Sequence, residues 1–231
     1  MSWASQNASM LAHLTGQNAY LALLPVLFGL VISLPLGIAC VRFGWLYPPV
    51  LGLTSVLYAL PALALFVALI AYTGLTDTTV IIPLSVYAVS VIFPSVVDGL
   101  RSVPEPVRQA AVAMGFGAWR RLVTVELPIA TPVVIAGLRI ASVSSISLVS
   151  VGSLIGIGGL GYLFTDGEAR SFTTEIVWGV VLIVALALVT DSVLVLVRRL
   201  LTPWQREVAS THPVRRLSVL GGRPGGGDVP A

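Results

Sequence analysis

The sequence predicts an all-α integral membrane protein with about five transmembrane helices. Three observations carry that prediction. The 231 residues are 56% hydrophobic and only 10% charged, whereas a soluble domain carries about 25% charged residues. The mean hydropathy of +0.96 points the same way. Apolar runs long enough to cross a bilayer core, which takes roughly 20 residues as a helix, recur along the chain, and the arginines fall mostly between them.

The first run is Tyr20 to Val41, which Pro25 and Pro35 are expected to interrupt. The second, Val50 to Tyr72, is read as one span with Pro61 inside it, and the third, Val80 to Val97, has Pro83 and Pro94 near its ends. Gly99 to Leu127 is too charged to cross. Pro128 to about Leu154 is apolar but rich in serine and small residues, and Ile176 to Val197 is the fifth run. Residues 1–19 are polar or mixed and read as an extracytoplasmic or interfacial segment, with His13 as a capping or interfacial residue. Residues 20–200 make the transmembrane domain, with 99–127 as a loop on one side. Residues 201–231 are rich in Arg, Pro and Gly and are expected to be a disordered cytoplasmic tail.

All 13 basic residues are arginine. A chain without lysine has no G-K-[ST] phosphate loop, Schiff base or catalytic lysine. With the 99–127 loop in the cytoplasm, 11 of the 13 arginines lie inside: Arg42, Arg101, Arg108, Arg120, Arg121, Arg198, Arg199, Arg206, Arg215, Arg216 and Arg223. Arg170 is outside and Arg139 is in the membrane. This bias sets the N-terminus outside and the C-terminus inside. It also explains the net charge of +3 better than a nucleic-acid surface does. The single cysteine, Cys40, cannot form an internal disulfide and reads as a small buried apolar residue.

The stretch RQAAVAMGFGAWRRLVTVELP is the most informative part of the chain. Pro104 and Pro106 can begin a helix but not continue one. A helix is expected from Val107 to Met114, ending at Gly115. A second should cover Ala118 to Leu122, and Pro128 opens the next span. The result is a compact cytoplasmic knob, with Ala110 and Ala111 small enough for another surface to approach.

The run resembles the EAA loop of the binding-protein-dependent ABC importer permeases: E-A-A, three residues, G, nine residues, then I-x-L-P. Here the pattern falls on Gln109, Ala110, Ala111, Gly115, Val125, Leu127 and Pro128, every spacing kept and five of the seven identities. Gln109 for Glu removes a charge that could pair with the ATPase; Val125 for Ile is conservative. The resemblance covers about Tyr20 to Pro203. It implies a type I ABC importer permease fold whose EAA coupling loop sits in a cleft of a separate ATPase. It also implies a second permease subunit, alike or different, and an extracytoplasmic solute-binding protein. No cofactor is expected on this chain, ATP and Mg belonging to the partner ATPase, and the chain itself is not expected to be an enzyme.

Within that family the resemblance is to the osmoprotectant branch, which carries glycine betaine, choline, carnitine and related amines. The stretches SLPLGI, GLTSVLYALPALALFVALI, AGLRIASVSSISLVSVGSLIGIGGLG and RRLLTPW carry it. Methionine permeases share the five-span plan and are the nearest competitor. Tyr58, Phe66, Tyr87, Phe93 and Tyr162 could touch a quaternary ammonium in passing; packing or interfacial anchoring is the plainer reading of each. A secondary transporter would need internal repeats and intramembrane carboxylates, for which only Asp191 and Asp98 qualify. A membrane enzyme would need a metal cluster or a nucleophile–base pair, and no such grouping stands out.

Two features remain. Gly156, Gly158 and Gly161 in GIGGLG spell the G-x-G-x-x-G dinucleotide fingerprint, with Glu175 about 20 residues on. The fingerprint needs a soluble βαβ unit, and this one lies in an outer loop after a membrane span. Gly156, Gly158, Gly159 and Gly161 instead free the backbone for an outer gate near the binding-protein dock, or for a plain helix-ending turn. Arg139 lies about 16 Å along a helix from Pro128, and Asp191 about 10 Å from Arg198. Both are at membrane depth, where they pair or each line the cavity of a dimer. The serines from Ser142 to Ser150 suit close helix packing or a wetted pathway.

Overall fold

The computed structural model describes residues 2–203. The tail from residue 204 onward, expected to be disordered and holding Arg206, Arg215, Arg216, Arg223 and His212, lies outside the described residues. Among those residues the chain is helical throughout, in ten α-helices with short 3-10 and π turns between them.

Two N-terminal helices, α1 (Ser2–Gln6) and α2 (Ala8–Arg42), open the chain. The helix that carries the first apolar run thus begins at Ala8, ahead of Tyr20. Pro25 and Pro35 do not interrupt α2. In a lipid-embedded bundle, neighbouring helices and local adjustment compensate the backbone groups a proline frees. Gly29, Ser33 and Gly37 lie four residues apart and are buried. They form one small-residue face against α5 (Asp77–Arg101), where a Cβ on Gly29 would come within 2.6 Å of the Ala88 Cβ. Small residues at this spacing let helix backbones approach closely, so van der Waals packing can hold them together in lipid.

The second apolar run is where the fold departs most from expectation. It is two helices, α3 (Tyr47–Ala59) and α4 (Ala62–Thr73), meeting at 90°. Leu60, before Pro61, adopts φ −68°, ψ 137°, because proline pushes its predecessor out of the α region. Pro61 also has no N–H to continue the ladder. The Tyr87 hydroxyl donates to the Leu60 carbonyl at 2.6 Å, satisfying the corner. Arg101 stacks 4.3 Å over the Tyr47 ring and ties the end of α5 to the start of α3.

After α5 come the short helices α6 (Glu105–Ala113) and α7 (Ala118–Arg121). A π turn, Leu122–Glu126, leads into α8 (Leu127–Gly152). On the opposite side α9 (Tyr162–Ala169) precedes the last span, α10 (Thr173–Leu201). Among the described residues four helices are long and apolar enough to cross a membrane, or five if the bent α3–α4 pair counts as one span.

The core sits where α2, α5 and α8 meet. One half centres on Leu21, Phe66, Leu84, Ile146 and Val149, the other on Val26, Ile92, Val96, Leu100 and Ala130. Phe66 and Phe93 are fully buried, so neither can touch a passing solute. Tyr87 is buried too, occupied by Leu60 and edge-on to Tyr58 at 5.7 Å. Tyr58 and Tyr162 remain exposed. Cys40 is buried against the packing of α3 and α5. On α10, Val177, Val184, Leu188 and Val193 are exposed, an apolar face suited to lipid or a second subunit.

Candidate functional site

The helical knob between α5 and α8 is built by its end signals. Pro104 adopts an extended conformation ahead of α6, and Pro106 lies in the first turn. At the other end Gly115 has φ +79°, which an L side chain adopts only with strain. The Gly115 N–H donates to the Val112 carbonyl at 2.9 Å and the Phe116 N–H to the Ala111 carbonyl at 3.0 Å. These two bonds are the Schellman pattern that satisfies the last carbonyls of a helix. Gln109 and Ala110 are exposed, whereas Ala111 is buried within this chain. Of the two alanines, then, only Ala110 offers its small surface outward; Ala111 is small because its own chain packs on it. Leu127 and Pro128 begin α8 and are half-buried.

Exposed apolar side chains crown the knob. Met114 is 67% exposed and Trp119 75%. The Gln109 side chain donates to the Glu105 carboxylate at 3.5 Å, so its outward face is a neutral amide beside an acid.

Beneath the knob lies a charge network that reading the sequence missed. Glu126, buried in the π turn, accepts from Arg121 Nε at 2.8 Å and lies 3.7 Å from Arg108 Nε. The other side of the Arg108 guanidinium donates to the Leu100 carbonyl at 2.7 Å. One carboxylate thus joins α6, α7 and the root of α8, and Arg108 extends the connection to the end of α5. The sequence signal was present as an acidic residue inside I-x-L-P, but its partners are 18 and five residues away and follow no helical spacing.

At the far end of the bundle the glycines make a buried turn. Gly156 has φ +79° with no atom within 4 Å of a built Cβ, so it is required by conformation alone. Gly158 (φ +139°) and Gly159 (φ +40°) combine conformation with contact. A Cβ on Gly159 would sit 2.7 Å from the Asn18 Cα, and one on Gly161 2.6 Å from the Ser150 carbonyl oxygen. Asn18 is fully buried; its Oδ1 accepts from the Leu160 N–H at 3.3 Å and its Nδ2 donates to the Ile146 carbonyl at 3.4 Å. One amide therefore spans α2, α8 and the glycine turn. His13, five residues earlier on α2, is exposed.

Arg139 and Asp191 come together midway along α8 and α10. Arg139 Nε donates to Asp191 Oδ1 at 2.6 Å, and an Nη to Oδ2 at 2.8 Å. This two-pronged geometry is the strongest an arginine offers a carboxylate. The pair is not enclosed: its side chains are 32% and 31% exposed and share a surface hollow with Ser144. Ser142 and Ser145 point into the bundle and are buried.

The family described as binding-protein-dependent transport system inner membrane component matches residues 21–207. The chain belongs to this family. As a member it is a multi-pass membrane permease and not the ATP-hydrolysing subunit. Membership brings with it an ATPase and a solute-binding protein as partners. The osmoprotectant import permease protein OsmW of Salmonella typhimurium is 35% identical over 85% of this chain and 94% of its own length. The glycine betaine/carnitine/choline transport system permease protein OpuCB of Bacillus subtilis is 29% identical, over 88% and 94%. The choline transport system permease protein OpuBD of Bacillus subtilis is 31% identical, over 90% and 92%. Among solved structures, an inward-facing MetNI methionine ABC transporter chain gives a TM-score of 0.67 at 23% identity, over 80% of this permease and 94% of that chain. That likeness is one of fold.

Proposed function

We propose that this permease forms half of the translocation pore of an ATP-driven importer for osmoprotectants, small quaternary amines such as glycine betaine, choline and carnitine. The observation that carries the solute class is the agreement of the relatives, whose names give osmoprotectants, betaine, carnitine and choline at 29–35% identity over more than four-fifths of this chain. The positive-inside bias supports an orientation with the knob and C-terminus in the cytoplasm of a bacterial cell and the glycine turn outside.

In this reading the ATPase grips the knob around Gln109, Ala110, Gly115, Met114 and Trp119. Exposed Met and Trp in a polar compartment favour such a partner. Leu127 and Pro128 carry the displacement into α8 through the Glu126 network. The turn from Gly156 to Gly161 helps form the outer gate. The Arg139–Asp191 pair cannot sit comfortably against lipid tails while a third exposed. Its face turns instead toward the second permease subunit and the wetted pathway between them.

The test is uptake in proteoliposomes containing this chain, its co-purifying ATPase and its binding protein, with labelled glycine betaine, choline and methionine compared. Betaine or choline uptake that requires every component and ATP supports the reading. Methionine uptake keeps the architecture and overturns the solute; gradient-driven uptake by the chain alone overturns both.

A further inference from the structure

At the glycine-turn end of the bundle, a cavity of about 390 Å³ opens between the N-terminal helix and the start of α10, within the size range of small-molecule sites. Three aromatic rings and two carboxyl groups share it: Trp3, Tyr162, Phe172, Asp166 and Glu175, with Arg170 at the rim. Trp3 and Phe172 meet edge to face at 5.7 Å. Glu175 is only 3% exposed, and no guanidinium or imidazole among the described residues lies within 4 Å of it. A second acid, Asp166, lines the same cavity. Arg170 reaches Asp166 at 3.0 Å but is itself largely in solvent. Two acids therefore face one base, and the buried acid is the one left without it. A buried carboxylate is costly unless a positive charge or donors meet it. Aromatic faces attract cations whose charge is spread over an apolar shell.

We propose that this cavity binds a small methylated ammonium cation of the choline class, its methyl groups against Trp3, Tyr162 and Phe172 and its charge toward Glu175 and Asp166. The site lies outside the pathway face marked by Arg139 and Asp191. Its extracytoplasmic placement rests on the orientation proposed above; the chemistry of the ligand does not. The excess of acid over base also sets an order. A plain cation should bind more tightly than a zwitterion, whose carboxylate finds only the rim arginine.

The experiment is equilibrium dialysis of labelled choline against the full chain in nanodiscs, without ATPase or binding protein. Unlabelled tetramethylammonium, glycine betaine and sodium serve as competitors. Saturable choline binding is expected, displaced by tetramethylammonium, less well by betaine and not by equimolar sodium. Trp3→Ala and Glu175→Gln should each weaken it about tenfold, with an unchanged elution profile. Asp166→Asn is a second acid variant should Glu175→Gln fold poorly. Absence of saturable binding, or binding indifferent to Trp3→Ala and both acid variants, overturns the site. Equal displacement by sodium overturns the role of the rings. ATP-driven uptake is read separately, so an importer that works without choline in this cavity removes the site and leaves the function. Choline binding without uptake does the reverse.

Discussion

The two ends of the bundle are both helical excursions between long spans, and they are built on opposite plans. The knob, residues 102–126, holds Met114 and Trp119 out in the open and is fastened at its base by charges converging on Glu126. The other, residues 153–172, buries Ile157, Leu160 and Leu163 and is fastened by glycine-to-backbone contact and the Asn18 amide. An exposed apolar crown on a charged footing suits a part another protein must hold. A close-packed turn suits a part whose position must not wander. In the proposed function this difference separates gripping from sealing: side chains supply the first and backbone proximity the second.

Replacing Gly159 by Val should have the largest effect. The new side chain meets the Asn18 backbone at a φ that disfavours it, and we expect a loss of about 3 kcal/mol or more as a lowered melting temperature of the purified chain. Gly117→Val in the knob meets no atom within 4 Å at φ −63° and should be near neutral. Equal melting temperatures for the two variants would erase the contrast. Next comes the ion pair lying between the two ends. Arg139→Ala should reduce uptake sharply, and the exchange of Arg139→Asp with Asp191→Arg should recover it; no recovery would mean that each charge serves a partner other than its mate.

Glu126→Gln should cost about 1.5–3 kcal/mol of local attachment while the knob keeps its own fold. The readout is the ratio of ATP hydrolysed to solute imported, which should rise; an unchanged ratio would show that the footing is not in the line of force. The smallest change expected is Gln109→Glu. It restores the family's acid but places it against Glu105, a like-charge pair at i, i+4 worth roughly 0.2–0.5 kcal/mol against the helix. A gain in ATPase affinity despite that cost would show that the partner presents a base to this position.

Much of the architecture was legible because lipid demands long apolar runs, and such runs are plain in sequence. The knob was legible because Gly115 and the prolines mark its ends and the spacing around Gln109 is kept. What escaped reading did so for physical reasons. Asn18 sits among polar residues ahead of the first apolar run, so its sequence neighbours concealed a buried structural amide. Pro25, Pro35 and Pro61 look alike in the chain, yet only the last lies where two short helices each find separate packing. Glu126 and Arg108 pair across a loop, a distance no periodicity reports. Ala110 and Ala111 are indistinguishable by composition, and only the fold shows which one faces outward.

One dimension of α2 carries a mechanical consequence. Its 35 residues span about 52 Å at the rise of an α-helix, while the hydrocarbon slab is about 30 Å thick. Roughly 20 Å of stiff rod therefore stands clear of the hydrocarbon, and the glycine turn is bolted to it at Asn18. Such a beam is one continuous helix through Pro25 and Pro35. When its membrane-embedded portion tilts, the projecting portion swings as one piece, and anything resting on it is carried along.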